Sequence, residues 1–255
     1  MSPYLNKNNM SGKTILVTGA SNGIGRAIAL EFANAENYLV LTWNSDSEGI
    51  KKTAELAREK GSKTEVFQLD LEDEQEISDF CKQINNASAP DILINNAAIA
   101  QKKDFMELNN DDWNKVLSVN LRAPFQLCQS FIPRMQKKGW GRIVNISSIG
   151  GQWGGIYQVH YAASKAALIN LTRSLARLYS KDKIAVTAIA PGVIDTGMTT
   201  ETLGHQTDKL LSHIPSGRLG TTKEVAKAVK YLCSEEAAYL SGITLNINGG
   251  MHFNS

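Results

Sequence analysis

The chain has 255 residues, enough to bury the core of one α/β domain or two small ones. A net charge of +2, with 42% hydrophobic and 20% charged residues, is that of an ordinary soluble fold and argues against a general nucleic-acid binder. Cys81, Cys128 and Cys233 stand far apart inside periodic segments, so they form neither a disulfide framework nor a zinc site and read as buried thiols of a reducing, cytoplasmic protein.

The first twelve residues lack an apolar core and read as a flexible lead-in rather than a signal peptide. No run approaches the ~18 apolar residues of a membrane span. Lys13 to Thr18 is a short β-branched run that predicts a buried strand. Gly19-Ala-Ser-Asn-Gly-Ile-Gly25 follows, and then a helical pattern from Arg26 to Ala33. Strand, glycine-rich turn and helix make a phosphate cradle: glycines let backbone approach a pyrophosphate, and the helix N-terminus supplies N–H donors and partial positive charge. Tyr38 to Asn44 predicts the second strand. An acid about 20 residues after the glycines would take a ribose 2′-hydroxyl and repel a 2′-phosphate. Asn44 and Ser45 stand there instead and Asn22 is uncharged, which favours NADP over NAD, although Asp46 is close.

Ser47 to Lys60 predicts a polar amphipathic helix, Thr64 to Leu69 a third strand ending at Asp70-Leu71, Asp73 to Asn86 a helix, and Asp91 to Asn95 a fourth strand running into Asn96-Ala97-Ala98. Asp104 to Lys138 holds one long helix or two consecutive ones. Asn120 sits there in an apolar pattern, where asparagine suits neither helix nor core; it has a specific hydrogen-bonding task or bends the chain.

Gly141 to Ile146 predicts the fifth strand, and His160 to Ser180 a helix. On that helix Tyr161 and Lys165, four apart, project from one face. The ammonium is expected to favour the phenolate and bring the tyrosine down from its usual ~10 toward the working range of a general acid. Ser148, thirteen residues earlier, offers a hydroxyl to the same substrate oxygen. A second such pair, Tyr179 and Lys183, has Ala166 where Tyr161 has Ser148. Lys183 to Ala190 predicts a sixth strand, broken by Pro191-Gly192; residues 195–216 read as a lid over a site; Thr222 to Cys233 predicts a helix and Ile243 to Ile247 a last strand. Strands alternate with helices throughout, which predicts one Rossmann-type, doubly wound parallel sheet of about seven strands over residues 13–255.

Thr18-Gly-Ala-Ser-Asn-Gly-Ile-Gly25, Asn95-Asn-Ala-Ala98, Asn120, Ser148, Tyr161-x-x-x-Lys165 and Pro191-Gly192 together resemble the short-chain dehydrogenase/reductase family over essentially the whole chain. Ala98 departs from the family's usual glycine. The resemblance implies that Tyr161 protonates a carbonyl oxygen as hydride arrives, that Lys165 lowers its pKa and holds the nicotinamide ribose, that Ser148 polarises the carbonyl, and that Asn120 holds a water in a proton relay. It places Gly19, Ser21, Asn22, Gly23 and Ile24 on the phosphates, Asn44 near the adenosine ribose, Asp70 and Leu71 on adenine, Asn96 on its ribose, and Pro191, Val193 and Thr196 on the nicotinamide side. It also implies a homotetramer and no catalytic metal, which leaves His160 and His205 as surface or pocket lining.

Late motifs, Ala190-Pro-Gly-Val-Ile-Asp-Thr196, Ile214-Pro-Ser-Gly-Arg-Leu-Gly220 and Gly242 to Met251, are most similar to the 3-oxoacyl-acyl-carrier-protein reductases. This implies a 3-oxoacyl thioester as substrate and acyl carrier protein as a partner. Arginines common in those relatives are replaced by Gly139 and Asp182, with Lys137, Lys138, Lys181 and Lys183 beside them as substitutes. A sugar, a steroid or a small ketone stays open as substrate. A nucleotide-binding scaffold without catalysis is the rival reading, against which stands the presence of Asn120, Ser148, Tyr161 and Lys165 together.

Overall fold

Short β-branched runs separated by amphipathic helices can bury both faces of a sheet only if the strands run parallel with helices crossing over. The computed structural model, which describes residues 11–196 and 211–253, has that architecture. Strands β1 (Thr14–Val17), β2 (Tyr38–Trp43), β3 (Lys63–Gln68), β4 (Ile92–Asn95), β5 (Gly141–Ile146), β6 (Ile184–Pro191) and β9 (Thr244–Ile247) form one sheet in the order β3-β2-β1-β4-β5-β6-β9. Every pairing is parallel. A second, two-stranded sheet pairs β7 (Ile194–Asp195) with β8 (Gly220–Thr221).

Helices α1 (Gly23–Phe32) and α8 (Thr222–Cys233) pack together on one face over Ile15, Val17, Leu39 and Ile92. Helices α3 (Glu74–Ala87) and α5 (Ala123–Lys138), with α7 (Val159–Tyr179), bury Leu16, Val40, Leu93 and Ile143 on the other. Helices α2 (Ser47–Glu59) and α4 (Asn110–Leu117) and the single turn α6 (Gly150–Trp153) complete the set among the described residues. Strand order turns back between β1 and β4, so the crevice at their carboxyl ends is the switch point where such sheets bind ligands.

Sequence and structure differ in a few places. The first helix begins at Gly23 rather than Arg26, because the last glycines of the turn adopt helical geometry. Of the one long helix or two consecutive ones expected, the structure has two: a 3-10 turn (Phe105–Glu107) precedes α4, and a π-turn (Ser118–Arg122) joins α4 to α5. Asn120 lies in this π-turn, which explains why it breaks an apolar pattern without ending the helix. Of the expected lead-in, residues 1–10 lie outside the described residues, as do residues 197–210 of the expected lid, His205 among them.

The amino-terminal edge of the sheet is locked separately. Arg142, 2% exposed, stacks 4.5 Å over the Trp140 ring, pairs with Glu235 at 3.2 Å and donates to the Gly141 carbonyl at 2.9 Å. A buried guanidinium needs such partners, and these lie on two segments, Trp140–Gly141 and Glu235.

Candidate active site

The carboxyl ends of β1, β4, β5 and β6 surround two adjoining cavities of about 520 and 530 Å³. Ile24, Asn96 and Ala98 line both.

The 530 Å³ cavity is walled by Gly19, Ser21, Asn22, Gly23, Ile24, Asn44, Asp70, Leu71, Asn96 and Thr196, ten residues that the sequence scatters over 178 positions. Glycine is required at two positions of this wall, Gly19 and Gly25. A Cβ on Gly19, whose φ is +65°, would lie 2.9 Å from the Ala97 Cα, and one on Gly25 would lie 2.1 Å from the Gly19 carbonyl oxygen. Helix α1 has no acid in its first turn, and its N-cap residue Asn22 makes no side-chain cap; its amide donates to Asp46 Oδ2 at 3.0 Å. The α1 terminus therefore keeps N–H donors and partial positive charge for an anion beside bare glycine backbone, and the residues fit a dinucleotide. Asn96 fixes the turn from below, donating to the Thr18 and Gly19 carbonyls at 2.9 and 3.0 Å. Arg26 braces it from the side, donating to the Ser21 carbonyl and, at 3.0 Å, to that of Gly49.

Asp46 does not stand free toward the adenosine end. Its Oδ1 accepts from Gly49 N at 2.8 Å, capping α2, while Oδ2 accepts from Asn22.

The 520 Å³ cavity holds Ser148, Tyr161 and Lys165 together with Ile149, Trp153, Gln158, Pro191, Val193 and Met251. Three consecutive residues after the middle of β5 fasten α7 to the sheet. Asn145 donates to Thr172 Oγ1 at 2.9 Å, the Ile146 carbonyl accepts from Lys165 Nζ at 2.8 Å, and Ser147 Oγ donates to the Lys165 carbonyl at 2.9 Å. The next residue, Ser148, is hydrogen-bonded through its side chain to Tyr161. Strand end and helix face thus bring serine, phenol and amine to one wall. The Tyr179–Lys183 pair instead falls across the end of α7 and a 3-10 turn, with Lys183 at φ 60° ahead of β6, at the opposite edge of the sheet.

Electrostatics differ from the expectation for Tyr161. Burial raises its phenol above the ordinary value, and the hydrogen bond with Ser148 only partly opposes this. The Lys165 ammonium is 5.7 Å from the Tyr161 ring centroid and donates to a carbonyl rather than to the phenol. Its own desolvation is the larger effect: Lys165, 2% exposed, is lowered to about 7.

This has a measurable consequence without added dinucleotide. Unfolded Lys165 titrates near its ordinary value of 10.5 and folded Lys165 near 7, so the unfolded chain binds more protons between these limits and stability rises with pH there. From pH 7 to 9 this group should add about 2 kcal/mol. Urea midpoints at fixed protein concentration should show that gain in the native protein, relative to Lys165→Met; parallel pH profiles would contradict it. Above pH 9 the buried thiols oppose the trend, since burial pushes Cys128 up to about 12 and raises Cys233 also.

Asn120 does not line the cavity but is fully buried beneath it. Its Oδ1 accepts from Ile99 N at 2.9 Å, and its Nδ2 donates to the Ile99 carbonyl at 2.9 Å and to Ser164 Oγ at 3.1 Å. The amide therefore pins the segment after β4 to α7. His160 is buried against Gln101, with a ring nitrogen 3.1 Å from Gln101 Oε1, and burial lowers its pKa.

The substitutes proposed for the missing arginines do not flank this cavity within one chain. Lys137 and Lys138 precede β5 and Lys181 and Lys183 precede β6, so they lie at the amino ends of strands whose carboxyl ends carry Ser148 and Pro191. A strand of six residues separates the two edges by roughly 20 Å. Lys138 is paired with Asp91 there. Gly139 ends α5 at φ 65°, a left-handed geometry that an arginine would adopt only under strain.

Sequence reasoning missed Trp153, Gln158 and Met251, because α6 and the segments around it carry no periodic signal.

A family model described as Enoyl-(Acyl carrier protein) reductase matches residues 19–252. The chain is 40% identical over 243 residues to the 3-oxoacyl-acyl-carrier-protein reductase FabG of Aquifex aeolicus, covering 95% of this chain and 98% of that one. It is likewise 40% identical over 244 residues to the enzyme of the same name from Pseudomonas aeruginosa, covering 95% and 98%. Among solved structures, a gluconate 5-dehydrogenase from Beutenbergia cavernae, described as NAD(P) dependent with NADP bound at low occupancy, superposes with a TM-score of 0.88 at 35% identity over 94% of this chain and 97% of that one. A gluconate dehydrogenase from Agrobacterium tumefaciens gives 0.89 at 29% identity over 95% and 96%. With the family model spanning nearly the whole sheet and relatives matching over almost their full length, the chain belongs to the short-chain dehydrogenase/reductase family of nicotinamide-dependent oxidoreductases.

Proposed function

We propose that the protein reduces the keto group of a 3-oxoacyl thioester to the 3-hydroxyacyl product with NADP(H), and that the thioester is delivered on acyl carrier protein. The observation that carries the reaction is the convergence of Ser148, Tyr161 and Lys165 on one cavity that adjoins the glycine cradle. A bound nicotinamide dinucleotide supplies the hydride. Tyr161, a phenol protonated at neutral pH and kept so by burial, gives its proton to the carbonyl oxygen, and Ser148 donates a hydrogen bond to the same oxygen. Lys165 recovers its charge when an anionic dinucleotide lies beside it, and then steadies the phenolate left on Tyr161. Asn120 holds the segment after β4 against α7 so that these groups keep their spacing.

NADP is favoured because Asn44 carries no charge and Asp46 is engaged by Gly49 and Asn22. NADPH is expected to exceed NADH in kcat/KM by at least about tenfold on one substrate, a difference of ~1.4 kcal/mol, and Asn44→Asp should erase that preference. An NADH advantage in the native protein would overturn the assignment.

A homotetramer in the cytoplasm completes the proposal. It is supported by half-exposed Phe125, beside Leu121 and Leu171 in a hollow on α5 and α7, and by exposed Tyr231 and Tyr239 near the edge strand β9. No helix among the described residues is long and apolar enough to cross a membrane. The solved neighbours favour a second reading, oxidation of a gluconate-like polyol. Assays of acetoacetyl thioester on carrier protein and on a short thiol, against gluconate with NADP⁺, separate the two. Gluconate turnover without thioester reduction would sink the first.

A further inference from the structure

The residue before Tyr161 is a histidine that the mechanism above leaves without a task. His160 is fully buried in the first turn of α7, and its Nε2 lies 3.1 Å from Gln101 Oε1. Gln101 in turn donates from its own Nε2 to Asp112 Oδ1 at 2.8 Å. Asp112 is fixed at the start of α4 by a capping box with Asn109 and by Lys103 at 2.5 Å. Lys103 and Gln101 hold its carboxyl down at about 2, so it is an acceptor only. Gln101 must therefore turn its amide N–H to Asp112 and its oxygen to His160, which makes Nε2 of the imidazole the donor. Nδ1 is buried with no partner among the described residues, so a second proton on the ring would have no acceptor.

The segment that carries Gln101 is sewn to α7 on both sides of Tyr161. Lys103 N donates to the carbonyl of Tyr157, four residues before it, at 2.9 Å. Asn120 holds both main-chain groups of Ile99 and donates to Ser164, three residues after it, whose Oγ donates to the Tyr161 carbonyl at 2.7 Å. Gln101 and His160 make the stitch between these two. Ala98 and Ala100, on either side of Ile99, line the cavity that holds Tyr161. An aliphatic residue at 160 would avoid desolvating an imidazole with one nitrogen unpaired, so packing alone does not account for the histidine.

We propose that His160 is a positioning residue for the reduction: its hydrogen bond to Gln101, anchored by Asp112, sets the distance between Tyr161 and the cavity wall that follows β4. The proposal rests on the reading of Tyr161 as the acid. A displacement of about 1 Å can cost on the order of 100-fold in rate. Losing the stitch should therefore appear in kcat and not in affinity for NADPH, which the glycine cradle supplies.

Hydride transfer from NADPH to the acetoacetyl thioester of a short thiol should slow at least about tenfold in His160→Leu and in Gln101→Leu, with the NADPH dissociation constant within a few fold of native. The double variant should be no slower than the slower single one. His160→Gln, which carries an amide donor at the same reach as Nε2, should recover most of the rate. Urea midpoints should stay near native, because Gln101 is partly exposed and can turn to water. Native rates in both single variants, or losses that multiply in the double, overturn the proposal. So does a loss of rate that tracks a loss of stability and is not recovered by His160→Gln. Two measurements need no turnover. Ring nitrogen shifts in isotope-labelled native protein should show the Nε2–H tautomer at neutral pH, and the opposite tautomer overturns the proposal. The phenol carbon signal of Tyr161, assigned by its absence in Tyr161→Phe, should move in both single variants. If it moves while the native protein leaves the thioester unreduced, the substrate reading fails and the positioning stands. If it stays in place while the thioester is reduced, the positioning fails and the reductase reading stands.

Discussion

Tyr161→Phe is expected to lower kcat by about 10²- to 10⁴-fold while leaving the dissociation constant for NADPH within a few fold of the native value. The ring keeps its place on the buried face of α7, and only the hydroxyl hydrogen-bonded to Ser148 is lost. A general acid removed without a replacement costs rate at proton transfer, not affinity for a dinucleotide held mainly by the glycine cradle. The acid role gives the pH dependence its sign, and burial moves it above the ordinary tyrosine range. Reduction requires the protonated phenol and should fall as pH rises through the Tyr161 pKa, whereas alcohol oxidation requires the phenolate and should rise. Stopped-flow hydride transfer with fluorescence titration of NADPH checks both halves. Near-native turnover in Tyr161→Phe would remove the acid from this tyrosine, and a large loss of NADPH affinity would show that the substitution damaged the cavity instead.

Gly25→Ala is expected to weaken NADPH binding by more than about tenfold and to destabilise the fold by roughly 1–3 kcal/mol. The added Cβ would lie 2.1 Å from the Gly19 carbonyl oxygen and 2.6 Å from Asn96 Nδ2, so either the phosphate turn or the start of α1 must move. Both form the anion cradle, so the cost appears in binding as well as in stability. Gly217→Ala makes the control: it has positive φ but open space around its Cβ, and lies away from the cradle. It should lose about 1 kcal/mol of stability through backbone strain alone, with NADPH binding intact. Thermal unfolding and calorimetric titration distinguish the pair. Native affinity and stability in Gly25→Ala would mean that the turn is not the tight support described.

The sequence by itself determined the parallel sheet, the glycine-rich turn and the candidate residues Ser148, Tyr161 and Lys165 that the fold gathers on one cavity. These are local properties: β-branched runs at regular intervals, glycines where backbone must approach a ligand, and a Tyr/Lys pair one turn apart on a helix. It also singled out Asn120, whose amide conflicts with its apolar neighbours, but not the π-turn and the Ile99 staple that resolve the conflict. Only the tertiary structure decided what depends on distance through space. Desolvation by the packed sheet sets Lys165 near 7 and raises Tyr161, where one helix turn of sequence suggested that the amine would lower the phenol. Strand direction puts Lys137, Lys138, Lys181 and Lys183 at the edge opposite the catalytic wall, although they stand close to Tyr161 along the chain.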